Sequence, residues 1–455
     1  MPSRKSDAWR ARDRKVLWHP FTQQRLWMEE DFPVIVSGKG SVLTDADGKR
    51  YLDGVSSLWC NVHGHARREL NAAMKRQLDR LAHASFLGLS HPPAIELAER
   101  LVELAPKGLS RVFYSDNGST AVEVALKMAF QFWQQNGQPA RRKFITFESG
   151  YHGDTVGAMA VSGIDRFHGL YKPLFFPTIK APTTYAYRCD RASNLEDCGK
   201  HCIQDLEAIL KTHAREVAAV VIEPLVQGAG GMITQPRGFL TGVRHLCDKH
   251  GVLLVADEVM TGFGRTGRMF ACEHEGVTPD LMAVSKGLTG GSLPLAATLA
   301  TEKVYAGFLG DFKDHRAFYH GHTYTGNPLA CAAALASLEI FRREKLIAKT
   351  RKKTHLLGNL LQDLYAIDPV GEIRHCGLIA GIELVADPSK KTPYPPELRL
   401  GHRAVLEARK RGAILRPLGD TLVLMPPLSI SEAELRRLVR IAADSIRAAI
   451  PSPGA

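Results

Sequence analysis

Strand-like and helical patterns alternate through the middle of the chain. The apolar runs lie at 111–114, 143–147, 217–222, 252–256 and 281–284. The last three are continuous, without polar alternation, which indicates strands buried on both faces of a mainly parallel sheet. Segments with the 3.6-residue spacing of helices, such as 119–135 and 238–250, separate the runs. This alternation predicts an α/β fold class.

The two ends of the chain have a different pattern. Residues Val42–Asp53 surround an Asp47-Gly48 pair, which predicts a β-hairpin. The other predicted elements are helices at 70–81, 93–104, 328–343, 401–411 and 432–449 and strands at 379–385 and 422–425. We expect a large sheet domain at 66–335. A smaller α+β domain combines an N-terminal arm and segment, residues 1–65, with residues 336–455.

Composition and charge restrict the class of protein. With 455 residues, of which 45% are hydrophobic, the chain can bury a large core and form more than one domain. No apolar run reaches the roughly 18–20 residues that a membrane span needs. Residues 1–15 are basic and polar, unlike a secretory signal, so we expect a cytoplasmic protein without a membrane partner. The net charge of +12 is spread along the chain, so we expect no nucleic-acid partner and a mild preference for anionic substrates.

Three of the eight cysteines are close in sequence. Cys189, Cys198 and Cys202 lie near His201, but their spacing matches none of the common zinc patterns. We therefore expect a polar loop with incidental thiols and no metal.

An acid and a lysine each follow a predicted buried strand. Asp257 follows the run at 252–256, with Glu258 after it, and Lys286 follows the run at 281–284. Open α/β sheets bind ligands at the carboxyl ends of their strands, so we expect both side chains at that edge. A buried lysine with a lowered pKa can form a Schiff base, whereas a plain Asp–Lys ion pair needs no ligand. These two residues alone leave both interpretations open.

Two glycine-containing turns follow other strands. Gly118-Ser119-Thr120 opens the helix predicted at 119–135, and its free N–H groups and hydroxyls can bind a phosphate. Simple N-capping is the alternative. The turn Gly150–Asp154 brings a tyrosine ring, an imidazole and a carboxylate to the same edge. We expect Tyr151 to stack on a planar cofactor, with an ordinary surface turn as the alternative.

The glycine loop Gly262–Gly267 matches the dinucleotide-binding pattern G-x-G-x-x-G. That interpretation is rejected, because no helix pattern begins at its last glycine and no acid ends a strand some 20 residues further on. We expect the glycines to let a loop turn past a ligand.

Several segments together resemble the class III aminotransferases, which have fold type I. The main ones are Asp257-Glu258-Val259, Gly262–Gly267 and Ser285-Lys286-Gly287, and the resemblance covers nearly the whole chain. Further similar segments are Trp18–Thr22, Ser56–Trp59, His63-Gly64, Tyr151–Thr155, Glu223-Pro224, Val226–Gly231, Phe270–His274 and Arg416-Pro417. Within the class they resemble the subgroup that converts 8-amino-7-oxononanoate to 7,8-diaminononanoate in biotin biosynthesis.

The resemblance implies roles around a pyridoxal 5′-phosphate cofactor. Lys286 would carry it as a Schiff base and act as general base, Asp257 would keep its ring nitrogen protonated, and Tyr151 would be the third catalytic residue. The implied cofactor-binding residues are Gly118, Ser119, Tyr151, Asp257, Val259, Lys286, His322 and Thr323. The implied substrate-binding residues are Phe21, Leu58, Trp59, Tyr151, Asp154, Gly321 and Arg416. Thr323 would come from the partner subunit, so the resemblance implies a homodimer.

The amino donor is the point on which the chain departs from the usual pattern. S-adenosylmethionine is the usual donor of this subgroup, but Phe21 and Val423 replace tyrosines and Leu58 replaces one of two tryptophans. We expect all three in the region that contacts substrate. With Cys60-Asn61 and His322 they resemble enzymes that use lysine, which we rank second. The alternatives are a class III enzyme for ω-amino acids or diamines, an aminomutase of the same fold, a non-enzymatic cofactor-binding protein and an NAD-dependent oxidoreductase.

Overall fold

Strands and helices alternate along residues 5–450, the part of the chain that the computed structural model describes. The strands are β1 (Ile35–Lys39), β2 (Val42–Asp45), β3 (Arg50–Asp53), β4 (Leu109–Ser115), β5 (Lys143–Phe147), β6 (Thr178–Ala181), β7 (Val217–Ile222), β8 (Val226–Gln227), β9 (Ile233–Thr234), β10 (Leu253–Asp257), β11 (Leu281–Val284), β12 (Ala296–Thr301), β13 (Val370–Cys376), β14 (Ile379–Leu384), β15 (Ala413–Ile414), β16 (Arg416–Leu418) and β17 (Thr421–Leu424). The α-helices are α1 (Lys5–Val16), α2 (Gln24–Glu29), α3 (Ser56–Trp59), α4 (Arg68–Leu78), α5 (Pro92–Leu104), α6 (Gly118–Gln135), α7 (Val156–Ala160), α8 (Asp165–His168), α9 (Leu195–His213), α10 (Phe239–His250), α11 (Glu302–Ala306), α12 (Pro328–Arg343), α13 (Leu346–Gln362), α14 (Leu400–Lys410) and α15 (Glu432–Ala449). Residues 1–4 and 451–455, the outermost parts of the two predicted terminal segments, lie outside the described residues.

A seven-stranded sheet forms the centre of the large domain, in the order β4-β12-β11-β10-β7-β5-β6. Only β12 runs antiparallel to its neighbours β4 and β11, while the other pairs of this sheet are parallel. The predicted mainly parallel sheet is therefore confirmed. The hydrophobic pattern does not predict β12, because half of its six residues are alanine, which is depleted in strands.

Helices cover both faces of this sheet. Successive side chains of a strand point to opposite faces. Val221 of β7 packs in a cluster with Val122 of α6, whereas the preceding Val220 packs in a cluster with Leu240 of α10. Full burial of one such side chain contributes about 2 kcal/mol. The continuous apolar sequence of β7 therefore follows from burial on both faces.

The carboxyl ends of five strands bring polar residues to one edge of the sheet. Asp257 is the last residue of β10, and Lys286 follows β11 by two residues. β10 and β11 are parallel neighbours, with Asp257 opposite Ala283, so the acid and the lysine leave adjacent strands as predicted. β4 leads to Gly118 at the start of α6, and β5 and β7 lead to Tyr151 and Glu223.

The two ends of the chain meet in smaller sheets. The β1-β2-β3 strands contain the predicted hairpin, and the C-terminal strand β15 pairs in parallel with β3. A second sheet has the order β13-β14-β17-β16. These pairings confirm an α+β unit built from N- and C-terminal segments. The domain boundaries remain predictions, and α12 runs unbroken through the predicted boundary at residue 335.

The cysteine segment is not the polar loop that the sequence predicts. Cys198 and Cys202 are buried on α9, whose buried face also includes Leu206 and Leu210. The prediction was wrong because the two cysteines belong to the apolar spacing of this helix. Within residues 5–450, no group of three or more His, Cys, Asp or Glu side chains could hold a metal ion. The same residues include no helix long and apolar enough to span a membrane.

Candidate active site

A cavity of about 830 Å³ lies at the carboxyl edge of the central sheet. Most of the side chains predicted from the sequence to bind cofactor or substrate line it. They are Phe21, Leu58, Trp59, Gly118, Ser119, Tyr151, Asp154, Asp257, Val259, Lys286 and Arg416. Segments more than 390 positions apart in the sequence therefore contribute to one site.

Lys286 lies in the cavity on a backbone with φ of 43°. Within the described residues its Nζ has no hydrogen-bond or ion-pair partner, and it lies 5.1 Å from the centre of the Trp59 ring. Burial lowers the pKa of Lys286, against the opposing effect of the negative charges of Asp257 and Glu223. An amine with a lowered pKa is more often neutral, and only the neutral form is a nucleophile.

Asp257 is buried and fixed by two contacts. Its Oδ2 lies 2.8 Å from Nδ1 of His152, and its Oδ1 accepts the N–H of Val259 at 3.0 Å. The His152 side chain is almost completely buried and holds the carboxylate in one orientation. The geometry presents a fixed negative charge to the cavity, where it can stabilise a cationic ring nitrogen.

The start of α6 can hold an anion. The Asn117 side chain caps the helix by accepting the N–H of Thr120, which leaves the amides of Gly118 and Ser119 for another partner. A Cβ on Gly118 would lie 2.4 Å from Cγ1 of Val259, so only glycine permits this close approach. The Ser119 hydroxyl is 2.8 Å from that of Thr155. Helix N-termini with free amides bind phosphate groups, as expected here from the sequence.

Tyr151 and Asp154 form a linked pair at the side of the cavity. The Tyr151 hydroxyl donates to Oδ2 of Asp154 at 2.8 Å, and Oδ1 of Asp154 lies 3.1 Å from Nε2 of His168. Burial and the Asp154 carboxylate raise the pKa of Tyr151, so its hydroxyl stays protonated. The Tyr151 ring is thereby held in place in the cavity that Asp257 and Lys286 also line.

Glu223 is a buried carboxyl group that the predicted set of site residues omits. Its oxygens accept the N–H of Tyr151 at 2.9 Å and that of Gly228 at 2.8 Å, and it lines the cavity. Burial raises the pKa of Glu223 to about 7. The available signal was its position immediately after the apolar run at 217–222, the same position that identified Asp257.

Arg416 begins β16 and is half-buried in the cavity wall. Its buried Nε has no hydrogen-bond partner among the described residues. Burial also lowers the pKa of Arg416, although a guanidinium remains charged at neutral pH. A buried guanidinium without a carboxylate from the protein is suited to bind a carboxylate of a ligand.

The model of the aminotransferase class-III family matches residues 27–446 of the chain. The chain belongs to this family. Its fold and its mainly parallel sheet are those of a class-III aminotransferase, as expected from the sequence. Among curated proteins, the adenosylmethionine-8-amino-7-oxononanoate aminotransferase of Geobacter sulfurreducens is 56% identical, over 96% of this chain and 97% of its own length. The protein of the same name from Aquifex aeolicus is 49% identical over 94% of each chain.

Solved structures agree with this assignment. The adenosylmethionine-8-amino-7-oxononanoate aminotransferase of Methanocaldococcus jannaschii superposes with a TM-score of 0.93 at 42% identity, covering 98% of this chain and 99% of that one. The omega transaminase of Pseudomonas jessenii in complex with PMP gives 0.92 at 34% identity, covering 96% and 97%.

Three predicted site residues of this class-III aminotransferase lie outside the cavity. Gly321 and Thr323 are exposed, and no atom lies within 4 Å of a Cβ placed on Gly321. His322 pairs instead with Asp116, at 2.8 Å between Nδ1 and Oδ2. Gly321 and Thr323 thus do not line the cavity of their own chain, whereas His322 contacts Asp116, which does line it.

Two other expectations are corrected by the structure. Val423, expected near the substrate, is completely buried in β17 opposite Arg416 of β16, and does not line the cavity. The Gly262–Gly267 loop does not line it either. Arg265 in this loop is fully buried and donates to the carbonyls of Asn61 and Pro426. Arg265 therefore links the N- and C-terminal segments, and a Cβ on Gly264 would lie 2.7 Å from Cδ1 of Leu428, so this glycine permits close packing rather than passage beside a ligand.

Proposed function

We propose that this class-III aminotransferase transfers an amino group to 8-amino-7-oxononanoate, giving 7,8-diaminononanoate in biotin biosynthesis. The names of relatives at 44–56% identity over 93–96% of this chain support this substrate. The observation that carries the proposal is a single cavity containing a lysine of lowered pKa, a fixed carboxylate, an open helix N-terminus and an unpaired guanidinium. We further propose that the protein acts in the cytoplasm.

The residues of the cavity fit pyridoxal 5′-phosphate as the cofactor. When bound, this group supplies an aldehyde that accepts an amine and a ring that withdraws electrons from the substrate carbon. Gly118 and Ser119 would hold its phosphate, since Gly118 leaves room that a Cβ would fill. Asp257, oriented by His152, would pair with the ring nitrogen. Tyr151 and Val259 would bind the two faces of the ring.

Lys286 is proposed to bond covalently to the cofactor and to move a proton. Burial lowers the pKa of its amine and so favours the neutral form, which can attack an aldehyde and later accept a proton. Trp59, whose ring centre lies 5.1 Å from Nζ of Lys286, would limit the access of water to this amine. Glu223 fixes the backbone of Tyr151 and thereby the position of its ring.

Arg416 and the apolar wall are proposed to select the oxo acid. The guanidinium can bind the terminal carboxylate through two hydrogen bonds. Phe21, Leu58 and Leu418 line the cavity and suit an unbranched aliphatic chain. An acceptor with a carboxylate at one end of such a chain matches both features.

We propose a homodimer in which the partner subunit completes the phosphate site with its copy of Thr323. Two observations support it. Thr323 and Gly321 are exposed and do not line the cavity of their own chain. The aromatic side chains of Tyr319 and Tyr324, which flank them in the sequence, are also exposed, at 75% and 61%. Exposed apolar surface of this kind marks protein contacts.

S-adenosylmethionine is the first proposed donor and lysine the second. Phe21 and Leu58 line the cavity, so two of the three departures from the usual pattern bear on the substrate wall. Val423 does not, because it is buried behind that wall. This reduces the sequence-based support for lysine and leaves the order of the two donors unchanged.

One experiment tests donor and acceptor separately. Purified protein with pyridoxal phosphate is mixed with S-adenosylmethionine or with lysine, and the amination of the cofactor is followed by its change in absorbance. Addition of 8-amino-7-oxononanoate should then regenerate the starting spectrum and yield diaminononanoate. A protein that is aminated but never transfers to this oxo acid would instead be an ω-amino acid or diamine aminotransferase. An aminomutase would isomerise a single substrate without a separate donor.

A further inference from the structure

The wall formed by Leu58 and Trp59 has a backbone conformation that L-residues rarely adopt. Ser56, Ser57 and Trp59 have φ values of 51°, 61° and 63°. In this left-handed region the Cβ is crowded, and such residues persist only where surrounding contacts over-determine them. The shape of this wall must therefore be imposed by contacts outside the segment.

The Asp53 carboxylate accepts backbone hydrogen bonds from this segment, while the Ser56 hydroxyl donates to the carbonyl of Met425 at 2.6 Å. Oδ1 of Asp53 accepts the N–H of Val55 at 3.3 Å, and its two oxygens accept the N–H of Ser57 at 3.0 and 2.9 Å. The Asp53 side chain is 0% exposed, so no water competes for these bonds. Hydrogen bonds to a buried charged acceptor are stronger than neutral ones.

His65 binds the same carboxylate from the other side. Its Nε2 lies 2.8 Å from Oδ2 of Asp53, and its Nδ1 lies 3.0 Å from Nδ2 of Asn61. Oδ1 of Asn61 accepts the N–H of Gly64, so Nδ2 is the donor to the ring. His65 therefore carries its proton on Nε2 and donates it to Asp53. Asn61 therefore donates to His65, and His65 donates to Asp53.

The position of His65 does not depend on the cavity. Its backbone pairs with Gly40, with N–O distances of 2.8 and 3.1 Å. A Cβ on Gly38 of β1 would lie 2.8 Å from the Cβ of His65, so the histidine is packed tightly against this strand. His65 does not line the cavity. It can influence substrate only through Asp53 and the wall.

We infer that Asp53 and His65 are positioning residues that hold the segment Ser56–Trp59, in which Ser56, Ser57 and Trp59 have positive φ, and thereby set the apolar wall for the substrate chain. The inference rests on the proposed function in taking this cavity as the substrate site. Because neither residue touches the reacting atoms, their loss should weaken substrate binding more than it slows the chemical step.

Amide hydrogen exchange tests the positioning role without substrate. In His65→Ala the buried Asp53 loses its partner, and the Ser57 amide should exchange about tenfold faster because its acceptor is no longer fixed. In His65→Gln an amide N–H can replace Nε2–H, so exchange should return close to that of the parent protein. His213→Ala, which removes a remote His–Glu pair with Glu216, is the matched control and should leave this segment unchanged.

Steady-state kinetics test the consequence for substrate. We expect the KM for 8-amino-7-oxononanoate to rise about tenfold in His65→Ala, with kcat within about twofold and recovery in His65→Gln. If His65→Ala does not fold, Asn61→Ala removes the hydrogen bonds of Asn61 to His65 and to the N–H of Gly64 but keeps the contact between His65 and Asp53. It should give a smaller change of the same sign in exchange and KM.

Two results would overturn the inference. One is unchanged exchange at Ser57 in the folded alanine variants, and the other is faster exchange with unchanged KM. If the parent protein failed to use the oxo acid, the proposed function would fail while the exchange result remained valid. The two failures are therefore distinguishable.

Discussion

Asp257 and Lys286 form the floor of the cavity and lie at the carboxyl ends of buried strands. Phe21 and Leu58 in its wall come from N-terminal segments and are 57% and 49% exposed. The positions of the floor residues are fixed by the hydrogen bonds and the packing of the central sheet. The wall depends on left-handed residues, including Phe21 itself with φ of 50°, and on contacts from distant segments. In our proposal, the groups that need fixed charges lie on the central sheet, and the groups that select the substrate lie on segments held by contacts from distant parts of the chain.

The largest expected effect comes from the amine at the floor. Lys286→Ala should reduce turnover by about 10⁴-fold or more, because it removes both the covalent anchor and the proton carrier. Folding stability should not decrease, since the lost amine has no hydrogen-bond partner in the described residues. Initial rates and urea denaturation measure the two quantities.

Lys353 is the matched control for this prediction. It is also buried, with a pKa lowered to about 8, but its Nζ donates to the carbonyls of Leu428 and Ile430. Lys353→Ala should lower the free energy of unfolding by about 1–3 kcal/mol and leave turnover per folded molecule nearly unchanged. Retained turnover in Lys286→Ala would remove this lysine from the reaction.

The next effect concerns the charge of Asp257. Asp257→Asn should lower turnover by about 10²–10³-fold, because the neutral amide cannot stabilise a cationic ring nitrogen, while thermal stability changes little. Glu258→Gln is the control, since Glu258 is equally buried but bonds to Thr261 and to the backbone of Ala271 and Cys272. That variant should lose stability more than activity. Near-normal turnover in Asp257→Asn would contradict the assigned role.

The residues of the floor could be predicted from the sequence more readily than those of the wall. Asp257, Lys286 and Tyr151 became candidates because each follows a predicted apolar strand, which left an ion pair and a surface turn as alternatives, and the family resemblance supplied their roles. Glu223 has the same position after β7 and was omitted, although the pattern that would have identified it was available. In these cases local sequence determines where the side chain emerges.

The wall could not be predicted in this way. Phe21 and Leu58 were assigned from family resemblance, since no periodic pattern in the sequence indicates where their segments lie. The left-handed backbone at Ser56–Trp59 depends on Asp53 and His65, whose contacts are not evident from residue type. Val423 was expected at the substrate, but its side chain is completely buried, opposite Arg416 and in one cluster with Trp59. The apolar run at 422–425 does not reveal which of its side chains are covered by neighbouring segments.

Loss of Arg416 should affect activity less than loss of Asp257 or Lys286 and more than a change of Phe21. Arg416→Ala should raise the KM for 8-amino-7-oxononanoate by about 10²-fold, as expected for a lost pair of charge-assisted hydrogen bonds. A neutral amide of the same acid should be affected far less. Arg416→Lys keeps the charge without the planar fork and should recover only part of the affinity. Equal weakening of both acceptors would show that the guanidinium does not bind the carboxylate.

The next prediction concerns the buried carboxyl group of Glu223 and the pH dependence of folding stability. Burial raises its pKa from 4.5 to about 7, so the folded protein binds more protons than the unfolded chain between these values. The contribution of Glu223 to stability is complete below about pH 4.5 and is lost as the pH rises to about 7, a decrease of about 3 kcal/mol.

Urea denaturation of the cofactor-free protein between pH 5 and 8 measures this contribution. Glu223→Gln cannot titrate and should lack this part of the pH dependence, whatever its overall stability. Parallel pH profiles for the two proteins would show that Glu223 does not retain a proton on folding.

The smallest effect is expected at the outer wall. Phe21→Tyr adds one hydroxyl to an exposed ring that contacts Phe167 edge-on at 5.3 Å, so stability should change by less than about 0.5 kcal/mol. The ratio of the half-reaction rates with S-adenosylmethionine and lysine should shift about threefold toward the former, since a polar group at the cavity entrance can bind a polar donor. Phe312→Tyr, at a side chain that is 94% exposed and outside the cavity, should leave the ratio unchanged. A loss of turnover in Phe21→Tyr comparable to that of Asp257→Asn would mean that the wall, like the floor, takes part in the chemical step.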